Sequence, residues 1–507
     1  MIELSVLQLS MVLLILLLLL ALYGQRMFNF LRMYYHIYTM AAVLPGPRGY
    51  PVIGSMHELV GGSHNGLRYM LREANKLRAI GINIITFNIL GRIYTIPLNG
   101  EALKPVLDSN EEIEKGRDYN FVRPWLGNGL LTSTGSHWRS RRKMMTPMFH
   151  FSMLSGYVEK MDRHAKILVE IMSGMKGKEI DWYPVIKRCA LDIICDTAMG
   201  KDFGTQRDPD SAYVKAVDGY NKMAQRYSIE PWMWISPIWY LFYERKTRAI
   251  LNDLKGFTNQ VIAERVNERK RRKENVGEEE TKQQSAFLDR LLDLHEQGEM
   301  SMEDVREEVD TFTFAGHDTT SAAVGWLLWC LATNPDKQET AYQELYEIFG
   351  DDDRECTVDD VKAMVYLERC IKETMRIFAT VPFTERLLKE DFKIGDYTLP
   401  KGSEILISPM IVHHNPQVYE NEWDFDPDNF LPHKVNARHC FDYVPFSGGP
   451  RNCLGQKFGM YEVKVVAAAI LRRFRLHTDR PMLGNDRVPE VILRPMDGIQ
   501  LTLLDRL

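Results

Sequence analysis

A single cysteine on a glycine-rich loop constrains this 507-residue chain more than any other feature. The loop reads Phe446-Ser-Gly-Gly-Pro-Arg-Asn-Cys-Leu-Gly455, with Arg451 two residues before Cys453 and an apolar helical pattern directly after it. Backbone N–H groups and a following helix N-terminus lower the pKa of a thiol, and the thiolate is then a strong metal ligand. A buried structural cysteine near a turn is the ordinary alternative. The spacing Phe-x-x-Gly-x-Arg-x-Cys-x-Gly would arise by chance in about one such chain in ten thousand, which favours the metal ligand.

Length and composition indicate one large domain and exclude several classes of protein. The chain has no Gly/Ser linker or repeat beyond its N-terminal region, and a hydrophobic content of 45% supports a sizeable core. The net charge of -5 gives no indication of nucleic-acid binding. The seven cysteines form no C-x-x-C pair, a pattern that suits a reducing compartment. It argues against both a disulfide framework and a zinc site.

The N-terminus predicts a membrane anchor. Residues 4–23 are almost wholly apolar, and twenty helical residues span about 30 Å, one hydrocarbon thickness. A cleaved signal peptide is the alternative, but Glu3 and no Lys or Arg precede the run, and no small-x-small cleavage pattern follows it. Arg26 and Arg32 come next, so the positive-inside bias leaves the bulk of the chain in the cytosol.

A proline-rich stretch separates this apolar run from the rest of the chain. Residues 44–51 read Leu-Pro-Gly-Pro-Arg-Gly-Tyr-Pro, and each proline fixes φ and removes a donor. The sequence therefore predicts a transmembrane signal anchor at 1–24, a linker and proline-rich hinge at 25–55, and one folded domain at 56–507.

A long helix with an unusual centre is predicted from Ser301. Ser301 and Asp304 form a candidate capping box, and Asn334-Pro335 supplies the stop. Inside lies Ala315-Gly-His-Asp-Thr-Thr320, whose glycine costs about 1 kcal/mol relative to alanine. One explanation is a tolerated kink, with a threonine bonding back to a carbonyl. The other is that small residues let the helix approach a flat ring closely. They share one stripe at helical spacing: Phe312, Ala315, Gly316, Thr319 and Ala323.

Two further residue pairs are candidates for charged contacts inside the protein. Trp138 and Arg142 share one face of a predicted helix, where an indole N–H and an arginine fork match a carboxylate. A solvated basic face is the alternative for that run. Glu373 and Arg376 stand at i, i+3 on a second predicted helix, as many surface ion pairs do.

Taken together, these motifs resemble the cytochrome P-450 family, from the hinge to near the C-terminus. The resemblance implies a mainly α fold with a small β region, and it makes Cys453 the axial ligand of haem iron. It further implies haem-binding roles for the loop residue Phe446 and for the propionate-binding side chains Trp138, Arg142, Arg386 and Arg451.

The same resemblance assigns roles to the centre of the long helix and to the second pair. Thr319 becomes the oxygen-activating alcohol, and Asp318 becomes the acid that relays protons to it. Glu373 and Arg376 become a buried network that braces the cysteine loop. Asn429 stands where the family normally adds an arginine to that network.

Residues 308–320 and 191–200 resemble the fatty-acid ω-hydroxylase branch, family four, particularly its arthropod members. Thr313 and Ala315 depart from that signature. Many family-four enzymes have a glutamate at the position of Ala315 that esterifies a haem methyl group. Alanine has no carboxylate, so the sequence predicts non-covalent haem b.

The resemblance also implies partners and a location. We expect the endoplasmic reticulum membrane, with the catalytic domain facing the cytosol. O₂ and NADPH would be co-substrates, with electrons supplied by NADPH–cytochrome P-450 reductase, since the chain has no dinucleotide fingerprint. Cytochrome b5 is a second candidate donor. A basic docking surface for the donor is predicted from Arg139, Arg141, Lys143 and Lys457.

The expected substrate is a lipophilic small molecule: a fatty acid, a terpenoid hormone or a xenobiotic. The segment 229–242 is rich in aromatic residues that suit a substrate channel, a bilayer interface or ordinary core. A haem-thiolate isomerase or dehydratase is the alternative enzyme. The pair Asp318-Thr319 argues against it, because such enzymes need no acid and alcohol to activate O₂. A non-catalytic haem or lipid binder is the alternative from another class.

Overall fold

The computed structural model describes residues 42–506 except 51–52, 60–61, 150–153 and 276–285, together with scattered positions between 11 and 40. Most of the predicted anchor at 1–24 lies outside the described residues. Among those described, no helix combines the length and the apolar character needed to cross a membrane.

Helices make up most of the described chain. In chain order the α-helices are α1 (Ser63–Arg78), α2 (Gly100–Leu107), α3 (Tyr119–Leu126), α4 (Gly135–Met145), α5 (Leu154–Ser173), α6 (Tyr183–Ile194), α7 (Ala212–Ile229), α8 (Ser236–Phe242), α9 (Glu244–Asn275), α10 (Phe287–Glu296), α11 (Met302–Ala332), α12 (Pro335–Phe349), α13 (Val358–Ala363), α14 (Val365–Ile377), α15 (Pro409–Val412), α16 (Pro432–Ala437) and α17 (Gln456–Arg473).

Short strands form a minor part. They are β1 (Ile84–Ile89), β2 (Arg92–Pro97), β3 (Glu179–Asp181), β4 (Thr384–Leu387), β5 (Phe392–Ile394), β6 (Tyr397–Leu399), β7 (Glu404–Ile407), β8 (Phe474–His477), β9 (Arg487–Pro489), β10 (Leu493–Pro495) and β11 (Gln500–Asp505).

The strands form small sheets at the margin of the helical body. The largest has the order β1-β2-β7-β4, with β2 and β7 parallel and the other pairs antiparallel. A second has the order β3-β11-β8, and β9-β10 and β5-β6 are two-stranded. The predicted fold class, mainly α with a small β region, is confirmed.

Helix α11 begins and ends where its sequence predicts. Ser301 Oγ accepts from the Asp304 N–H at 3.1 Å, and Asp304 Oδ2 accepts from the Ser301 N–H at 2.9 Å, which completes the capping box. Pro335 ends the run and opens α12. At 1.5 Å per residue α11 is about 46 Å long. Its C-terminal half, 320–332, is buried on all sides, so α11 forms the centre of the core.

The glycine of α11 serves helix packing. A Cβ at Gly316 would lie 2.7 Å from the side-chain carbons Cδ1 and Cγ1 of Ile194 in α6, closer than atoms can approach. The small residue therefore lets α6 and α11 pack closely. Because the Cβ position of Gly316 faces the neighbouring helix, close helix packing is a further reason for a glycine here.

Candidate active site

A cavity of about 510 Å³ lies where α11, α4, α17, β4 and the cysteine loop meet. Its wall contains seven of the predicted site residues: Trp138, Arg142, Thr319, Arg386, Phe446, Arg451 and Cys453. The stripe Phe312, Ala315, Gly316, Thr319 and Ala323 also lines it, as predicted from helical spacing. Asp318 does not line it.

The cysteine loop is held against α2 by its glycines. Gly449 has φ +63°, and a Cβ there would lie 1.7 Å from the Leu107 carbonyl oxygen. The Cys453 N–H donates to the Phe446 carbonyl at 3.0 Å, and α17 starts three residues after the cysteine. Cys453 is thus fixed with its surface open to the cavity.

The pKa of the Cys453 thiol differs from the expected direction. Burial raises the pKa, and the Gly455 N–H and the Arg142 guanidinium only partly oppose that rise. The Gly455 N–H and the Arg142 guanidinium thus act in the predicted direction, although lost hydration outweighs them in the polypeptide alone. A bound metal cation supplies the missing positive charge and deprotonates a coordinating thiol.

Arg451 is held entirely by uncharged groups. It donates to the carbonyls of Ile113 at 2.8 Å, Leu130 at 3.3 Å and Ser133, and its guanidinium lies 4.3 Å from the centre of the Trp138 ring. Burial, with repulsion from Arg386, lowers its pKa to about 9. A buried cation of this kind needs an anion to be stable.

Three more cations share this part of the wall. Arg142 donates to Asn452 Oδ1 at 2.5 Å, Arg386 is 2% exposed, and Lys115 donates to the Tyr119 hydroxyl at 3.3 Å. Burial lowers the pKa of each, and repulsion by Arg386 and Arg451 adds to this for Lys115, whose pKa falls well below its usual range.

These four cations have no acidic partners in the part of the chain that the structure describes. Within the described residues, none of Lys115, Arg142, Arg386 and Arg451 has a carboxylate within ion-pair distance. A ring compound with two carboxylates and a thiolate-binding metal fits both the charge excess and the cysteine. Haem is such a group, so the donor set fits it. Sequence analysis missed Lys115, because a lone lysine within Glu-Glu-Ile-Glu-Lys carries no motif.

Thr319 lines the cavity, and its hydroxyl hydrogen is already donated to a backbone carbonyl. Its Oγ1 donates to the Ala315 carbonyl at 2.7 Å, the backbone bond that the kink explanation predicted. The lone pairs of the oxygen remain as acceptors. Both explanations of the α11 centre therefore apply, since the threonine bonds back to its own helix and also lines the cavity.

Asp318 points into the packing between α6, α7 and α11. Its Oδ1 lies 2.7 Å from Lys187 Nζ, and its Oδ2 accepts from Asn221 Nδ2 at 2.7 Å. Burial acts to raise its pKa, but the Lys187 ammonium dominates together with other neighbours, and the pKa is lowered. Lys187 also pairs with Asp218 at 2.5 Å, and Asp218 is partly exposed.

The Glu373–Arg376 pair is buried, and its partners among the described residues lie within 413–429 rather than in the cysteine loop. Both side chains are fully buried, with Arg376 Nε 2.8 Å from Glu373 Oε2. Asn429 Nδ2 donates to Glu373 Oε1 at 3.1 Å. The remaining Arg376 N–H groups donate to carbonyls, including that of Glu422 at 2.7 Å. Asn429 thus bonds the acid of the pair, while backbone oxygens complete the arginine.

The predicted basic surface needs one correction. Arg139, Lys143 and Lys457 are exposed. Arg141 is buried and pairs with Asp304 at 2.6 Å, so it cannot belong to a docking surface. It instead ties α4 to the start of α11.

Comparisons with known proteins agree with this site. The sequence profile of the family cytochrome P-450 matches residues 44–503. Cytochrome P-450 4V2 of Mus musculus is 41% identical over 475 residues, covering 90% of this chain and 89% of that protein. Cytochrome P-450 4c3 of Drosophila melanogaster is 38% identical over 488 residues, covering 91% and 89%. The predicted resemblance to family four, with arthropod relatives, is confirmed.

A solved structure carries the same fold. The haem domain of cytochrome P-450DA superposes with a TM-score of 0.78 at 23% identity, covering 92% of this chain and 98% of that one. At this identity the likeness concerns the fold alone.

Proposed function

The chain belongs to the cytochrome P-450 family and is a haem-thiolate monooxygenase, and we propose that it inserts one oxygen atom from O₂ into a C–H bond or an alkene of a lipophilic molecule. One observation carries this proposal. A cysteine opens onto a cavity beside four cations that, among the described residues, have no acidic partners, and the threonine of α11 lines the same wall.

The residues around the cavity would hold and enclose the cofactor. Cys453 would ligate the haem iron, and the cations Lys115, Arg142, Arg386 and Arg451, with Trp138, would hold the two carboxylates. When bound, haem supplies the oxygen chemistry, and the protein supplies binding and orientation. Ala315 offers no carboxylate, which supports non-covalent haem b.

Protons would reach the cavity through the centre of α11. The Thr319 oxygen faces the cavity as an acceptor. Asp318 lies behind it and is connected through Lys187 to Asp218, which is partly exposed. We propose that Asp318 relays protons from this side of α11 towards Thr319, which requires its side chain to leave Lys187.

Electrons would come from NADPH through NADPH–cytochrome P-450 reductase, with cytochrome b5 as a second donor. The exposed cations Arg139, Lys143 and Lys457, near the cysteine loop and on α4, suit an acidic partner surface.

We propose attachment to the endoplasmic reticulum membrane through residues 1–24, with residues 25–55 as the hinge and 56–507 as the catalytic domain. The surface of the domain supports this. Tyr240, Leu241 and Phe242 of α8 are at least 70% exposed. Two contacts connect the region of α8 with the hinge. The Arg92 guanidinium, in β2, lies 3.9 Å from the centre of the Trp234 ring just before α8. The N–H of Leu90, just before β2, donates to the carbonyl of Ile53 in the hinge. Aromatic and apolar side chains of this kind favour the bilayer interface.

The family-four resemblance keeps fatty acids, terpenoid hormones and xenobiotics as candidate substrates. The test is full-length protein in detergent or nanodiscs. Reduced protein exposed to carbon monoxide should absorb near the wavelength that gives the family its name. Product formation from lipophilic candidates should require NADPH and reductase together. A haem-loaded sample without that band would overturn the thiolate assignment.

Thr319 gives the matched variants for this test. Thr319→Ala should consume NADPH while releasing hydrogen peroxide instead of product, whereas Thr319→Ser keeps the hydroxyl and should remain coupled. Equal coupling in both variants would contradict the proposed role of the alcohol. Rearrangement or dehydration of a lipid hydroperoxide, with no NADPH-dependent oxygenation of any candidate, would instead indicate an isomerase or dehydratase. Full haem binding without any turnover would indicate a non-catalytic binder.

A further inference from the structure

Among the described residues of the cavity wall, positive charge is confined to the cluster near Cys453. Among the described lining residues, the cations are Lys115, Arg142, Arg386 and Arg451, which the haem carboxylates require. Three undescribed segments adjoin lining residues in the sequence and contain no Lys or Arg: 51–52, 60–61 and 150–153. Among the described residues of this wall, a ligand other than haem therefore meets no unclaimed lysine or arginine.

Acidic groups occur on the same wall. Asp118 lies 3.3 Å from Arg92 Nη1, and Glu490 lies 3.2 Å from Arg494 Nη1, so both acids already use the nearest arginines. Glu385 is buried beside Asp118, and burial with that neighbour raises its pKa well above the usual range. A carboxylate ligand placed here would lose its hydration without gaining a counter-ion.

Uncharged polar groups gather where α1, α7 and the segment before α1 meet the cavity. Gln225 Nε2 donates to Ser63 Oγ, and Ser55 and Tyr69 line the same region. Ser55 is 3% exposed, and its Oγ lies near the Tyr69 hydroxyl without making a hydrogen bond of normal geometry to any described residue. A buried hydroxyl in this state calls for a water or a ligand group. We name Ser55, Ser63 and Gln225 the hydroxyl–amide cluster.

We infer that this enzyme prefers lipids whose polar group is uncharged, such as an alcohol, an ester or a primary amide, over free carboxylates. The hydroxyl–amide cluster binds that group, and the apolar wall binds the chain. Hydroxyl and amide side chains donate and accept, so they match an alcohol or amide without burying a charge. The inference rests on the proposed function and narrows its substrate class, because it places free fatty acids below neutral lipids.

A matched ligand series tests this preference. Haem-loaded, full-length enzyme is titrated at neutral pH with a saturated carboxylic acid, the primary amide, the primary alcohol and the alkane of the same chain length, and the haem spin-state shift is recorded. The amide and alcohol should bind at least about tenfold more tightly than the carboxylate. Equal or tighter binding of the carboxylate would overturn the inference.

Variants at Gln225 locate the recognition. Gln225→Leu keeps the volume and should weaken the amide and alcohol about fivefold while leaving the alkane unchanged. Gln225→Lys adds the missing cation and should shift the ranking towards the carboxylate. An unchanged ranking in both variants, or an equal loss for the alkane, overturns the assignment to the cluster. The carbon monoxide band is read on every sample, so failure of the proposed function is distinguished from failure of this inference.

Discussion

Lys187 Nζ lies 2.7 Å from Asp318 Oδ1, and both side chains are at most 2% exposed. Burying two charges costs several kcal/mol per ion, which their mutual attraction offsets only while both partners remain. The acid that we propose as a proton relay is thus held by a lysine that enters from another helix.

Removing the lysine should be far more damaging than neutralising the acid. In Lys187→Met, Asp318 keeps only Asn221 as a partner and becomes an uncompensated buried charge, so the free energy of unfolding should fall by about 3–5 kcal/mol. In Asp318→Asn, Lys187 retains Asp218, and the loss should be smaller.

Urea unfolding followed by haem absorbance measures both effects. The double variant Lys187→Met/Asp318→Asn is the control, and it should recover part of the stability lost by Lys187→Met alone. Equal stability of Lys187→Met and Asp318→Asn would contradict the ion pair as described.

Glu308 predicts a dependence of stability on pH. Burial raises the pKa of this carboxyl to about 8, while its Oε2 accepts from the Leu130 N–H at 3.0 Å. The unfolded chain loses this proton near pH ~4.3. Between those two values only the folded state binds the proton, so stability should fall as the pH rises from about 4 to about 8.

Glu308→Gln keeps the acceptor and removes the titration. Its free energy of unfolding should match that of the parent near pH ~5 and exceed it by about 4 kcal/mol near pH ~8.5. Chemical denaturation at both pH values gives the comparison. A constant difference between the two proteins across this range would show that Glu308 does not titrate as described.

Local sequence patterns predicted the helix ends and the cysteine loop. Contacts between residues that are distant in the chain determined the ion-pair partners. The capping box of α11, its proline stop and the cysteine loop are encoded within a few residues, so the sequence revealed them. Asp318 and Lys187 are far apart in the chain, and no local pattern links them.

The sequence also did not show which side chains of a helix point to solvent. Arg139 and Arg141 stand two residues apart on α4, yet one is exposed and the other pairs with Asp304 beneath the helix. The run of basic residues predicted a basic face, but the position of α11 against α4 determines which arginine is buried. Lys115 belongs to the site for the same reason, since only the fold brings it to Arg386 and Arg451.

Replacing Lys115 should have opposite effects on the two forms of the protein. Burial, Arg386 and Arg451 hold the pKa of Lys115 well below its usual range, so this ammonium destabilises the haem-free chain. Lys115→Met should therefore stabilise the apoprotein, yet haem should dissociate about tenfold faster, because one charge-assisted contact to a carboxylate is lost. Lys104→Met is the surface control, since Lys104 is exposed and pairs with Asp108 on the outside of α2. Haem transfer to apomyoglobin measures dissociation, and an unchanged rate in Lys115→Met would remove Lys115 from the haem site.

We expect Ala315 to leave haem untethered, because it has no carboxylate to form an ester. Its methyl group lies on the cavity stripe of α11, where the neighbouring lining residues Phe312, Gly316 and Thr319 carry no carboxylate. Acid-acetone extraction of the parent protein should therefore leave a colourless chain, even after turnover with reductase. Ala315→Glu places a carboxylate at this position and should retain part of the haem after turnover, whereas Ala315→Gln has similar volume, cannot form the ester and should release all of it. Haem retained by the parent would refute non-covalent binding, and complete release from Ala315→Glu would show that residue 315 does not reach the edge of the ring.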